Sequence, residues 1–433
     1  MLTTIDKLFK LQKNSTTIKT EMLAGFSTFL TMSYIMFINP QILHLTGMDL
    51  GAVFVATCLV AALGSIFTGI VANYPIAVAP GMALNVYFTY VVVQALGLPW
   101  QTALGAVFIS GLIFLALVLT PVRYWLVDSI PECLNIGIAI GIGIFIALLA
   151  LKSSGVIIPS QNTFMTLGNL ASLPILLFFV GFCLIVILEH LKISGSIIIS
   201  IIGVTLLGIL LKVAKFHGIF SMPPSVMPTL FAFDSKALLN VQGLSVILSF
   251  LLVALFDSTG TLIGLSQEKI FFDDPERKQK ISRALIVDSA TTVVGACVGT
   301  SSVSPFIESE SGIRAGGRTG LTAITVGVLF LLALFLSPLA ATIPDYAVAP
   351  ALLFVGILMI KNVIHLNSDD LSDFVPSVVT ALMIPCTFSI ADGLGLGMIS
   401  YVLIKLFTGK YKEINWMLSI LSIIFVVYFI FTK

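Results

Sequence analysis

Apolar runs of membrane-crossing length recur along this chain, and they constrain its fold more than any other feature. A helix needs roughly 20 mainly apolar residues to cross the hydrocarbon core of a bilayer. Seven runs of about that size cover residues 21–39, 51–72, 81–97, 101–120, 131–151, 172–189 and 194–213. A polar connection over 214–240, containing "SMPPSVMP", follows. Then come 241–265, 282–299, a short interrupted piece at 306–318, and 319–342, 347–361, 373–390, 393–408 and 415–431. With 58% hydrophobic and 10% charged residues, a soluble globular domain is excluded, and the chain reads as an all-α polytopic membrane protein.

Charge placement orients the spans, because cytoplasmic loops carry an excess of Lys and Arg. Residues 1–20 form a polar leader with Lys7, Lys10, Lys13 and Lys19, expected in the cytoplasm, with a short amphipathic helix around Ile5, Leu8, Phe9 and Leu11. Counting alternately from there puts Arg123, Lys192, the group Lys269, Arg277, Lys278, Lys280 and Arg283, then Arg314, Arg318, Lys361, Lys405, Lys410 and Lys412 on the inside. Only Lys152, Lys212, Lys215 and Lys236 fall outside, four against seventeen with the leader included. Fourteen spans return Lys410 and Lys412 to the cytoplasm. Whether 415–431 crosses again is open.

Seven spans per half, an odd number, make the halves opposite in topology, the inverted-repeat plan of many secondary transporters. "GIGIFIALLALKSSGVI" (141–157) echoes "ALLFVGILMIKNVIHL" (351–366), each the fifth span of its half. The third and tenth spans echo as well. Both are short and preceded by extended, breaker-rich sequence: "NYPIAVAPGMALNVYFTY" and "GTSSVSPFIESESGIRAGG". Such interrupted segments at matching positions mark a transporter's binding site. The expected organisation is a leader (1–20), a first repeat (21–213), a connection (214–240), a second repeat (241–412) and a C-terminal apolar segment (413–433).

An ionisable group at membrane depth costs a few kcal/mol and is a candidate functional group by default. Asp257, in "LLVALFDSTGTLIG", must lie well inside the eighth span. A packing cluster with Ser258 and Thr261 is the alternative to a substrate- or proton-binding carboxylate. The tenth-span helix is expected to start near Ser304 or Pro305, since Pro suits a first turn, and its free N–H groups favour anionic or carbonyl groups. Glu308 and Phe306 then present a carboxylate and an aromatic face to one cavity. Residues two apart on a helix do not share a face, so Glu310 is expected to turn toward a helix neighbour or Arg314. Arg314 and Arg318 read as a solvated end. Asn85, just past Pro80 and Gly81, occupies the matching place in the first half; its amide suits a heterocycle edge, or a clamp between helices.

Other features carry less. The glycines of "GIAIGIGIF" lie in an apolar span, where small residues permit close helix contact rather than phosphate binding. "FFDDPERKQK" reads as a solvated loop, and Glu21, Asp128, Glu189 and Asp288 as interfacial residues at span ends. The histidines (His44, His190, His217, His365) and the five cysteines (Cys58, Cys133, Cys183, Cys297, Cys386) form no constellation, so neither a metal, a disulfide nor an enzyme is expected. The net charge of +1 gives no field for nucleic acid.

The motifs "GMALNVYFTY", "ALGAVFISG", "SIPECLNIGIAIGIGIFIALLALKSSGVI", "LFDSTGTLIG", "GTSSVSPFIESESGIRAGGRTGLTA" and "TFSIADGLGLGMISY" resemble those of the adenine/guanine/hypoxanthine (AzgA-like) permeases of the nucleobase-ascorbate transporter superfamily. The resemblance runs over nearly the whole chain. It implies 7+7 inverted spans divided into a core (spans 1–4 and 8–11) and a gate (5–7 and 12–14), and proton-coupled uptake of purine bases through the cytoplasmic membrane by a homodimer. It also implies that Asn85, Asp257 and Glu308 serve recognition and coupling, with no cofactor beyond the proton. Two positions depart from the pattern: Ala83 stands where the family usually has Gly, and "ESESG" replaces "ESAAG", making Glu310 an extra carboxylate. The expected site is a base against Phe306, with Glu308 accepting ring N–H groups, Asn85 meeting a carbonyl or ring nitrogen, and Asp257 coupling protons with Thr261 as partner. An anion exchanger of the same fold, of sulfate or bicarbonate type, is the alternative; two site carboxylates argue against it.

Overall fold

The computed structural model describes residues 6, 8–120, 131–160, 164–235, 238, 241–266, 276–387 and 389–432. Ile5, Lys7, Arg123, Asp128, Lys236, Lys269 and positions 271–275 of "FFDDPERKQK" lie outside the described residues. The first apolar run is two helices, α1 (Ile18–Met32) and α2 (Ile35–His44), which meet at a turn through Ser33 and Tyr34. α3 (Leu50–Phe67) is capped by Asp49, whose carboxylate accepts the Ala52 N–H at 2.8 Å, and ends in a π-helical turn over Thr68–Ala72. Strand β1 (Val78–Pro80) leads into α4 (Met82–Val86), which widens to a π-helix over Tyr87–Ala95. α5 (Trp100–Leu119), α6 (Glu132–Ser153), the hairpin β2 (Ile157–Ser160) and β3 (Phe164–Leu167), α7 (Leu173–His190) and α8 (Ser196–Leu210) complete the first half.

The second half holds α9 (Val241–Ser266), α10 (Arg277–Val298), β4 (Val303–Pro305), α11 (Ser309–Arg314), α12 (Gly320–Ala333), α13 (Ser337–Thr342), α14 (Asp345–Ile360), α15 (Leu371–Thr387), α16 (Ile390–Phe407) and α17 (Trp416–Thr432). Prolines open several of these helices, where a missing N–H costs nothing: Pro99, Pro131 and Pro344 precede α5, α6 and α14, and Pro174 sits in the first turn of α7. Among the described residues, nine helical segments are long and apolar enough to cross a membrane, and the chain is a multi-pass membrane protein.

The helices pack as two groups. In one, α3 lies against α12, α10 against α5, and α1 against α12 and α11. In the other, α6 lies against α14 and α15, α7 against α14 and α8, and α15 against α16, which carries α17. The glycines of "GIAIGIGIF" serve this second group as expected. A Cβ on Gly143 would stand 2.6 Å from the Gly356 carbonyl oxygen, and one on Gly137 2.6 Å from that of Ser377, so the helices meet backbone to backbone.

The two extended lead-ins pair with each other. β1 and β4 run antiparallel, with Val78 opposite Pro305, Ala79 opposite Ser304 and Pro80 opposite Val303. The Gly81 N–H donates to the Ser302 carbonyl at 2.9 Å and the Phe306 N–H to that of Ala77 at 3.0 Å, extending the ladder at both ends.

Several expectations need correction. The helix expected from Ser304 or Pro305 starts at Ser309, because residues 303–305 are committed to the strand and Glu308 is the residue preceding the helix. Glu21 is fully buried rather than interfacial. Its carboxylate accepts the N–H groups of Arg318 (2.9 Å) and Thr319 (3.2 Å) and the Thr322 hydroxyl (2.6 Å), satisfying donors that the start of α12 leaves free. Asp288 is also fully buried, accepting the Ser258 hydroxyl at 2.5 Å. The Lys405 side chain is enclosed and ion-paired with Asp373 at 2.7 Å and Glu413 at 2.5 Å, an arrangement compatible with either face. In the leader, Phe9 and Leu11 are buried but Leu8 is exposed.

Candidate substrate site

The paired strands set the geometry of the site. Because β1 and β4 run antiparallel, α4 leaves one end of the pair and α11 the other, and both helix starts face the strands that precede them. The starts of the two helices thus come from opposite halves of the chain to the one strand pair, and the first N–H groups of α11 are already used, those of Ser309, Glu310 and Ser311 donating to the carbonyls of Phe306, Ile307 and Glu308.

Asn85 is fully buried on α4. Its side-chain carbonyl accepts the Ser301 hydroxyl, which leaves the amide NH2 buried without a partner among the described residues. A buried donor left unpaired costs about 1–3 kcal/mol, so this amide has a standing requirement for an acceptor. Ala83, two residues earlier, is 5% exposed.

Glu308 is half-buried at the start of α11. One carboxylate oxygen, Oε1, accepts the Tyr34 hydroxyl. Phe306 is buried beside it, its ring tilted 47° against that of Tyr34 with centroids 6.5 Å apart. Glu310 turns away and pairs with Arg314, as the helical spacing predicts. Arg314 is well exposed, whereas the Arg318 guanidinium donates to the carbonyls of Ile313 and Gly317 at 2.8 and 2.7 Å.

Asp257 lies on α9, half-buried, and its carboxylate meets the Ser304 hydroxyl of β4. Among the described residues Ser304 thus stands where Thr261 was expected as partner. Asp257 is within electrostatic reach of both Glu308 and Asp288, so three carboxylates from α9, α10 and the start of α11 gather around the strand pair. The described residues contain no group of three His, Cys, Asp or Glu side chains arranged to hold a metal.

The arrangement offers a hydrogen-bond donor from Asn85, an acceptor from Glu308 and an aromatic wall from Phe306, the chemistry a planar heterocycle with mixed edges requires. Sequence reasoning brought Asn85, Glu308, Phe306 and Asp257 to the same strand pair, but it missed Tyr34, Ser301 and Ser304. The signal for Tyr34 was slight: one phenol in the apolar stretch "TFLTMSYIMFI", next to a serine where the helix breaks. Ser301 and Ser304 were hidden among the five serines of "GTSSVSPFIESES".

Comparison with known proteins gives the following. The profile of Xan_ur_permease, described as a permease family, matches residues 19–396. The chain is 47% identical over 427 residues to adenine permease AdeP of Escherichia coli (strain K12), covering 99% of this chain and 96% of AdeP. It is 39% identical to guanine/hypoxanthine permease PbuO of Bacillus subtilis (strain 168), covering 96% of this chain and 98% of PbuO. Among solved structures, the transmembrane domain of the cyanobacterial bicarbonate transporter BicA superposes with a TM-score of 0.65 at 16% identity, over 89% of this chain and 97% of that one, which is a likeness of fold.

Proposed function

This chain belongs to the permease family Xan_ur_permease, and we propose that it carries purine nucleobases, adenine foremost, across the cytoplasmic membrane in symport with protons. The observation that carries the reading is the site: an unpaired amide donor, a half-buried carboxylate and a buried phenyl ring at two helix starts, in a chain 47% identical to a named adenine permease. Adenine is put first because identity to the guanine/hypoxanthine permease PbuO is lower, at 39%.

In this reading a base lies against Phe306, Glu308 accepts its ring N–H groups, and Asn85 donates to a ring nitrogen or carbonyl. Ala83 borders the same pocket. Asp257 takes a proton on the outside, which neutralises it, and releases that proton inside. The Ser304 hydroxyl, and Thr261 one turn along, serve its two charge states. Transport follows from 14 spans arranged as 7+7 inverted repeats, with the group containing α1–α5 and α9–α12 as a core that moves against the gate of α6–α8 and α14–α16. The N-terminus is placed in the cytoplasm and the working unit is a homodimer. Anion exchange is not favoured: two carboxylates at the site repel an anion.

Uptake of labelled adenine into proteoliposomes, with and without an imposed pH gradient, tests the reading. Expected is saturable uptake that concentrates adenine only when the outside is acidic, with guanine and hypoxanthine as weaker competitors. No purine uptake, or saturable bicarbonate or sulfate exchange in its place, refutes it.

A further inference from the structure

We infer that Tyr34 is a positioning residue of the substrate site, its hydroxyl fixing the Glu308 carboxylate in the orientation that receives the base. The inference rests on the purine reading above and brings the first span into recognition.

Tyr34 stands where α1 gives way to α2. The break points the side chain of a turn residue, rather than of a regular helix face, toward the start of α11. Its ring is 1% exposed and leans on Phe306, and its hydroxyl donates to Glu308 Oε1. One turn earlier, the Thr31 hydroxyl lies 3.3 Å from the main-chain carbonyl of Glu308 and 3.0 Å from the Ser311 hydroxyl. The Thr31 hydroxyl is shared with the carbonyls of Thr28 (2.9 Å) and Ser27 (3.2 Å) of its own helix, so the first span packs against the Glu308 backbone and holds its carboxylate through Tyr34.

This hold has a chemical purpose. A carboxylate offers about four lone-pair sites on two oxygens. Tyr34 occupies one and the main-chain N–H of Glu308 itself another, which leaves the others for ring N–H groups. A half-buried glutamate side chain is otherwise free to rotate, and ordering it on binding costs about 0.5–1.5 kcal/mol for a rotamer-rich side chain. Asp257 is also close enough to act on the Glu308 carboxylate electrostatically. The Tyr34 hydroxyl holds the carboxylate in place, because a donor aimed at an anion makes one of the stronger hydrogen bonds. Phenylalanine would fill the same buried space, so packing alone does not account for the phenol.

The test is Tyr34→Phe, which keeps the ring and removes one oxygen. Adenine binding is measured on the purified transporter in lipid nanodiscs and uptake kinetics in proteoliposomes. Expected is a rise of about tenfold in Kd and KM, the loss of about 1.4 kcal/mol, with Vmax within about twofold and a melting midpoint of the unliganded protein lowered by no more than the loss of one hydrogen bond allows. If this variant does not accumulate, 3,5-difluorotyrosine at position 34 preserves the packing and alters only the donor, and a changed Kd is again expected. Affinity within twofold of the unaltered protein in either variant overturns the inference. So does a loss of Vmax as large as the loss of affinity, which identifies a general structural role rather than positioning of the base. Failure of the unaltered protein to bind adenine, guanine or hypoxanthine removes the substrate reading and this inference with it.

Discussion

Glu308 and Glu310 are two residues apart and carry the same carboxylate, yet they meet different partners. Glu308 accepts from Tyr34 of the first span, while Glu310 pairs with Arg314 on its own helix turn. Glu308→Ala is expected to weaken adenine binding at least about 100-fold, since a hydrogen bond to a charged group contributes roughly 1.5–3 kcal/mol and more than one is lost. Glu310→Gln is expected to leave uptake within about twofold, because an exposed i, i+4 pair contributes only about 0.3–0.5 kcal/mol. Comparing the two variants by equilibrium binding checks the assignment, and equal losses would refute it. Asp257→Asn keeps the shape and much of the hydrogen bonding of the side chain but cannot carry a proton on and off. It is expected to bind adenine within about tenfold of the unaltered protein and to lose pH-driven accumulation. Full gradient-driven accumulation in that variant removes Asp257 from coupling.

At the scale of elements, the strand pair and the glycine contacts do most to build the site. Gly143 faces the Gly356 carbonyl so closely that an added methyl group would stand 2.6 Å from its oxygen, whereas at Gly203 the nearest atom to an added methyl, on Leu184, is 3.5 Å away. Gly143→Ala is therefore expected to lower the melting midpoint, by overpacking worth about 1–3 kcal/mol. Gly203→Ala should hold or raise it, since Ala exceeds Gly in helix propensity by about 1 kcal/mol. The extended lead-ins and the glycine contacts were legible in the sequence, because breaker-rich segments and glycines in apolar runs are local patterns with few physical explanations; that the lead-ins pair with each other was not. Glu21, Asp288 and Tyr34 were not. Each is a single polar side chain in or beside an apolar run, and its meaning depends on a partner far along the chain: Thr322 for Glu21, Ser258 for Asp288, Glu308 for Tyr34. The start of α11 was read too early for a related reason. Pro305 suits a helix start, but only the pairing with Val78, in the other half of the chain, makes it the end of a strand.

For the whole molecule, contacts within the two helix groups far exceed those between them, and the proposed transport cycle moves one group past the other. Leu30 of α1 and Ile198 of α8 both border Gly195 at the boundary, each 3.3 Å from the place a Gly195 Cβ would occupy. In a background freed of the five native cysteines, Leu30→Cys with Ile198→Cys should be bridged by a short, cleavable bifunctional thiol reagent. Uptake is expected to stop on bridging and return on cleavage, and undiminished uptake by the bridged protein refutes relative movement there. The ladder between β1 and β4 has a thermodynamic corollary. The amide that donates and the carboxylate that accepts cannot part without breaking it, so the base meets an unchanged set of partners whichever side of the bilayer the pocket opens to. In the proposed cycle the two halves of the pocket then travel together, and a base bound between them keeps its partners from one side of the bilayer to the other. Any uncoupled carrier levels its solute, so a concentration ratio other than one is what the proposed proton coupling has to supply.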